Sequence, residues 1–196
     1  LTLTVTGTAS NAQLEAGSFP TSYIPTTGTA LTRSADVASI TGSNFSSWYN
    51  QSEGTVFASA RLSDPAASQV NGYNKTIFSL NNNTNNLAAL WISPTFLTVG
   101  FYVRSAGSLE AYVQPTSIAA NTLQNIATAF KENNFNACVN GTIGSLDTLG
   151  SLPLNVSNLN IGTPFNGTSG LWSGHIARLT YFPERLPDST LQAITQ

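Results

Sequence analysis

The feature that most limits what this chain can become is a series of short segments with apolar residues at every second position. Each segment ends in turn residues, and no long helical periodicity interrupts the series. From Gly54 onward, Val56, Ala58, Ala60 and Leu62 share one face of an extended segment and Thr55, Phe57, Ser59 and Arg61 the other. Thr76, Phe78 and Leu80 repeat the pattern, and Leu87 to Ile92, Phe96 to Arg104 and Leu109 to Val113 continue it as a meander reversing at Ser105-Ala106-Gly107-Ser108. Asn125 to Phe130 and Phe135 to Val139 flank Lys131-Glu132-Asn133-Asn134 as a hairpin, Asn140-Gly141 supplies a primed turn, and Leu159 with Ile161 marks one more strand. Such a series predicts two packed antiparallel sheets, each alternating inward and outward residues. A small barrel is the alternative.

The two ends read differently. Leu1-Thr2-Leu3-Thr4-Val5-Thr6 alternates like a strand, the opening in mid-strand reads as a cut from a longer polypeptide, and Ala16-Gly17, Phe19-Pro20, Ile24-Pro25 and Thr27-Gly28 then punctuate an extended path. Phe19, Tyr23 and Ile24 lie too close together for a flexible linker and are expected to anchor that path on apolar surface. At the far end, Gly174 to Phe182 predicts a strand with Ala177, Leu179 and Tyr181 on one face. Pro183 and Pro187 limit a turn, and Pro187 to Thr195 is the one helix worth placing, with Leu186 and Leu191 as a hydrophobic staple and Ile194 on the same stripe. The tract Asn81-Asn82-Asn83-Thr84-Asn85-Asn86 reads as a loop, because asparagine tolerates left-handed backbone and bonds its own main chain.

With 196 residues, the chain can bury about 70% of its unfolded surface, enough for one large core. Only 8% of the residues are charged, the net charge is -2, and solubility must come from hydroxyls and amides. Surfaces built for solubility carry about 25% charged residues or more, so this one suits an extracellular or virion part, or a subunit that hides much of its surface. The seven basic residues are scattered and not interleaved with aromatics, which argues against nucleic acid. No apolar run reaches membrane-spanning length, so membrane insertion is not expected. Cys138 has no second cysteine and reads as a semi-buried strand thiol.

The stretch Gln13-Leu14-Glu15 with Thr21-Ser22-Tyr23-Ile24-Pro25-Thr26, followed by Thr32-Arg33-Ser34-Ala35-Asp36 and Phe45-Ser46-Ser47-Trp48-Tyr49-Asn50, resembles a recurrent junction in tailed-bacteriophage tail-fibre chains. Ile126 to Lys131, Asn136 to Gly141 with its Asn-Gly turn, Leu159-Asn160-Ile161-Gly162 and the run Gly174 to Ile194 resemble the concanavalin A-like, or laminin-G-like, domains of those proteins. Pro187 departs from that pattern, which more often has a capping Ser, Thr or Asp. The resemblance implies an all-β concanavalin A-like jelly-roll sandwich with a short C-terminal helix, divided as residues 1–30, a strand and junction from an upstream domain, and 31–196, the sandwich. It further implies a virion location on the phage tail, contact with other tail proteins and a host-surface polysaccharide or glycan, and a homotrimer with Phe19, Tyr23 and Ile24 as contact candidates.

Catalysis finds little support in the residues. The nine acids are scattered and no alternating carboxylate strand occurs, whereas glycoside hydrolysis uses two carboxyl groups roughly 5 to 9.5 Å apart. His175 stands alone, so multi-histidine metal sites and relays are excluded. The expectation is a non-enzymatic structural and adhesion domain; a purely structural virion module and a polysaccharide hydrolase or lyase are the alternatives. No cofactor is expected, with calcium as the one alternative and Asp64 and Asp147 as its loop candidates. For a sugar platform the candidates are Trp172, Trp48, Tyr49, Asn83 and Asn85, with Tyr73 and Phe165 as further aromatics, since an aromatic face covers apolar sugar surface while amides bond hydroxyls. Trp91 alternates with core-type residues and is read as packing.

Overall fold

The computed structural model describes residues 4, 6–8, 10–15, 23–32, 38–63, 73–164 and 169–196, and among these it holds eleven strands, which follow from that alternation, and two helices. The chain divides into two units, Leu1–Asp36 and Val37–Gln196. In the first, the described residues form no strand or helix, and the Ile24 N–H donates to Gln13 Oε1 at 2.7 Å.

The second unit holds β1 (Ala38–Thr41), α1 (Ser43–Ser46), β2 (Glu53–Leu62), β3 (Lys75–Asn83), β4 (Asn86–Ile92), β5 (Val99–Ser105), β6 (Ser108–Val113), β7 (Gln124–Lys131), β8 (Asn134–Val139), β9 (Thr142–Ile143), β10 (Asn158–Ile161), β11 (Gly174–Phe182) and α2 (Asp188–Ile194). A six-stranded sheet runs β1-β10-β3-β4-β5-β6 and a five-stranded sheet β11-β2-β7-β8-β9, with every pairing antiparallel. This is the two-sheet sandwich with a short C-terminal helix expected of a concanavalin A-like jelly roll.

Facing residues of the two sheets make the main core: Phe78, Leu80, Leu90, Ile92, Phe101 and Val103 from one, and Val56, Leu62, Ile126, Phe130, Phe135 and Val139 from the other. On the far side of the five-stranded sheet lies a second apolar layer. There Phe57, Ala127, Ala129 and Cys138 pack under Leu191, with Phe182, Leu186 and Ile194 around them. The small alanines let α2 lie close, which is why β2 and β7 are buried on both faces despite their alternation. Pro187 caps α2 without a side-chain hydrogen bond, and Asp188 in the first turn suits the helix dipole. Leu186 and Leu191 share this apolar layer, as a staple requires.

Three details depart from the reading of the sequence. The register of β11 shifts between Ile176 and Arg178, so Ala177 is the exposed bulge residue, and Ile176, Leu179 and Tyr181 face the core. Most of the asparagine tract is strand: Asn81 to Asn83 end β3, Asn86 begins β4, and only Thr84-Asn85 turns. A single helical turn, α1, forms around the buried Phe45, where helix was not expected. Among the described residues no helix is long and apolar enough to cross a membrane.

Candidate functional site

The face of the six-stranded sheet turned away from the core is where chemistry accumulates. Because β3 to β6 alternate, each places a second set of residues on that outer face, and their registers align them in rows. Thr76 lies opposite Trp91, and Trp91 opposite Gly100. In the next row Ser79 faces Ala89, Ala89 faces Tyr102 and Tyr102 faces Tyr112; in the third, Asn81, Leu87, Arg104 and Leu109 follow one another. The β10 side continues in polar residues, with Asn160 opposite Ser79 and Asn158 opposite Asn81. One half of the face is therefore aromatic and the other amide and hydroxyl.

A groove of about 500 Å³ runs over the aromatic half. Trp91, Tyr102, Tyr112 and Leu87 form its apolar surface, Tyr73, Asn74 and Thr76 enter at the start of β3, and Thr84, Arg104 and Leu109 lie along it, with Pro164, Ser169 and Gly170 at its side. This volume falls within the roughly 300 to 1,000 Å³ of ligand sites. Backbone hydrogen bonds hold the side segment, since the Thr76 N–H donates to Gly170 O at 2.9 Å and the Gly162 N–H to Ile77 O at 2.8 Å.

The platform depends on one glycine. A Cβ at Gly100 would stand 2.3 Å from Trp91 Cζ2 and 2.5 Å from Cε2, so the indole lies directly over the glycine backbone. Tyr112 stacks beside it, ring centroids 6.1 Å apart at 29°. Trp91 is 7% exposed and Tyr112 44%, so the pair offers a fixed ring beside an open one. Burial pushes the Tyr102 phenol above its ordinary pKa, with Arg104 pulling the other way, and burial also raises that of Tyr112. Tyr102 and Tyr112 are therefore neutral hydrogen-bonding groups at neutral pH.

The residues expected from sequence to form the site are dispersed. Trp48 and Tyr49 belong to a cluster with Phe45 and Tyr181: Phe45 and Tyr49 stack at 4.7 Å, Trp48 meets Tyr181 edge-on at 4.9 Å, and the indole N–H of Trp48 donates to Asn44 O at 2.6 Å. Trp172 packs against the main core, its indole N–H buried with no protein acceptor among the described residues. Asn83 Oδ1 accepts the N–H groups of Asn85 (2.8 Å) and Asn86 (3.1 Å), so Asn83 and Asn85 shape the β3–β4 turn, with Thr84 between them reaching the groove. Tyr23 is exposed and Ile24 half-buried in the first unit, while Phe19 and Phe165 lie outside the described residues.

Trp91, Tyr102 and Tyr112 were missed as site residues. The signal was present, because Trp91 shares the parity of Leu87 and Ala89 rather than that of Leu90 and Ile92, and Gly100 is a mid-strand glycine.

Acids and metal candidates lie elsewhere. Glu53 is 3.6 Å from Lys131, Glu110 accepts the Ser151 N–H at 2.8 Å, Asp147 accepts the Leu149 N–H at 3.1 Å, and Glu132 sits in the β7–β8 turn. No described residue lining the groove is acidic. Asp64 lies outside the described residues, and among those described no group of three His, Cys, Asp or Glu side chains could hold a metal. His175 begins β11 and Cys138 lies on β8, with β2 and β7 between them; at about 4.8 Å per strand they stand too far apart to act together. Cys138 Sγ instead meets Thr195 Oγ1 at 3.2 Å under α2, where burial raises the thiol pKa.

No protein-family model matches the chain, and no curated protein matches it. Solved structures do. The chain is similar to the receptor-binding domain of botulinum neurotoxin type G (TM-score 0.56, 14% identity, 74% of this chain and 40% of that one). It is similar also to domain 4 of AbnA, a GH43 extracellular arabinanase from Geobacillus stearothermophilus, in complex with arabinotriose (0.52, 11%, 76% and 68%). A third likeness is to Trypanosoma rangeli sialidase (0.52, 13%, 72% of this chain and 22% of that one). The chain thus spans less than half of the neurotoxin domain and about a fifth of the sialidase. The likeness shows the fold alone, a jelly-roll sandwich found in a toxin receptor-binding domain, an arabinanase domain and a sialidase chain.

Proposed function

We propose that this chain is a non-enzymatic carbohydrate-binding domain of a phage tail fibre, attaching the virion to a glycan on the host surface. The observation that carries the binding role is the groove on the six-stranded sheet. An indole held over Gly100, a stacked tyrosine and a second tyrosine cover apolar sugar faces, while the hydroxyls and amides around them bond sugar oxygens. A fold shared with a domain solved with arabinotriose and with a toxin receptor-binding domain supports the same reading. The non-enzymatic part is supported by the groove's lining, whose described residues include no carboxylate for the paired-acid route to glycoside hydrolysis. The tail-fibre setting rests on the junction Gln13 to Asn50, and the homotrimer on the expected burial of Phe19, Tyr23 and Ile24 between copies.

The test is a glycan array followed by titration of the best binder. Tyr102→Ala and Tyr112→Ala should each weaken binding by about 30-fold, the effect of a binding residue worth about 2 kcal/mol. Full affinity in both folded variants would remove the groove as the site. Release of new reducing ends from the bound polysaccharide would replace a binding domain with a hydrolase.

A further inference from the structure

We infer that the groove selects sugars bearing an anionic group, a carboxylate or a phosphate, and that Arg104 is the residue that reads it; this rests on the glycan reading of the same groove. Arg104 is the only charged residue among the described lining of the groove. It projects from β5 in the same outward parity as Tyr102 and Gly100, opposite Leu87 and beside Leu109. No ion pair or hydrogen bond among the described residues engages its guanidinium. On the neighbouring strand the one carboxylate, Glu110, is bound to the Ser151 N–H at 2.8 Å. In a chain with 8% charged residues, a cation with no ion-pair or hydrogen-bond partner among the described residues is thus set at one end of an aromatic groove.

Geometry adds the length of the ligand. Gly100 and Arg104 are four residues apart on one strand, about 13 Å at the usual rise, with Tyr102 midway. A sugar stacked on Trp91, which pairs with Gly100, lies about 13 Å along the strand from Arg104, so an oligosaccharide lying along β5 can stack at one end and present its anion at the other. A guanidinium fork matches the two oxygens of a carboxylate or phosphate.

The experiment measures affinity for matched pairs of oligosaccharides differing only in charge. Oligogalacturonate, hyaluronan and sialylated fragments are compared with their carboxyl-reduced forms, and phosphorylated oligosaccharides with the same chains after phosphatase treatment. The acidic member of at least one pair should bind about tenfold more tightly, and the advantage should shrink as salt rises. Whether the carboxylate or phosphate pairs show it identifies the anion. Arg104→Gln should erase the advantage of the acidic member over its neutral counterpart, and Arg104→Lys should keep part of it, a point charge without the fork. Arg104 is exposed, so both variants should melt with the wild type. Equal affinity within every pair, or an advantage that survives Arg104→Gln, overturns the inference and leaves the glycan reading standing. Failure of the folded wild type to bind any member, acidic or neutral, overturns both.

Discussion

Gly100→Ala is a one-carbon change that tests whether the Trp91 platform exists as described. The added Cβ would stand 2.3, 2.5 and 2.7 Å from three atoms of the indole, whereas carbon atoms are comfortable at about 3.5 to 4.0 Å. The ring must therefore move by about 1 Å or swing away. Overpacking of this kind costs roughly 1 to 3 kcal/mol. Against it runs the gain from restricting the unfolded chain, roughly 0.4 to 1 kcal/mol, because Gly100 does not occupy left-handed backbone and alanine fits its extended conformation. The net expectation is destabilisation of up to about 2.6 kcal/mol, read as a lower urea midpoint at unchanged m-value. In a Trp91→Ala background the clash is gone and the same substitution should become stabilising, giving a coupling of about 1 to 3 kcal/mol in the double-mutant cycle. Glycan affinity should fall with Gly100→Ala alone. Equal effects of Gly100→Ala in the two backgrounds would show that the indole does not rest on this strand, and the platform argument would fail with it.

Leu191 is 0% exposed and seats α2 on the five-stranded sheet, so Leu191→Ala should cost about 2 to 5 kcal/mol in denaturant unfolding. Gln192→Ala, which loses a bond of 3.2 Å to Gly141 O, should cost about 0.5 to 1.5 kcal/mol; equal small effects would mean a frayed helix. Burial first, and then the nearby Tyr181, push the Tyr49 phenol well above its ordinary value near 10. The folded state thus holds a proton that the unfolded chain releases, and this contribution is complete below about pH 10 and lost as pH rises toward the folded-state value. The urea midpoint should fall above about pH 10, and Tyr49→Phe should flatten that slope by up to about 1.4 kcal/mol per pH unit; an unchanged slope would contradict the burial.

The alternation of Val56, Ala58, Ala60 and Leu62, the hairpin signals at Glu132-Asn133 and Asn140-Gly141, and the staple of Leu186 with Leu191 each state a local preference, and each survives into the structure. Strand period, turn chemistry and helix entry depend on neighbours within a few residues, so they are legible in one dimension. The bulge at Ala177 and the strand character of Asn81 to Asn83 were not, because pairing with β2, β4 and β10 outweighs the local preference of these residues. The site was misplaced for the same reason. Trp48, Tyr49 and Trp172 look exposed by their polar flanks, yet Phe45, Tyr181 and the main core cover them from distant positions in the chain. Trp91 looks like core by its apolar neighbours, yet parity puts it on the outer face, and only register brings Gly100 beneath it and Tyr112 beside it. The sequence by itself determined which residues alternate and where the chain turns. Which of the two apolar faces of β4 meets the other sheet and which lines a groove was decided by tertiary structure, because burial of a face depends on what packs against it and not on the residues it carries.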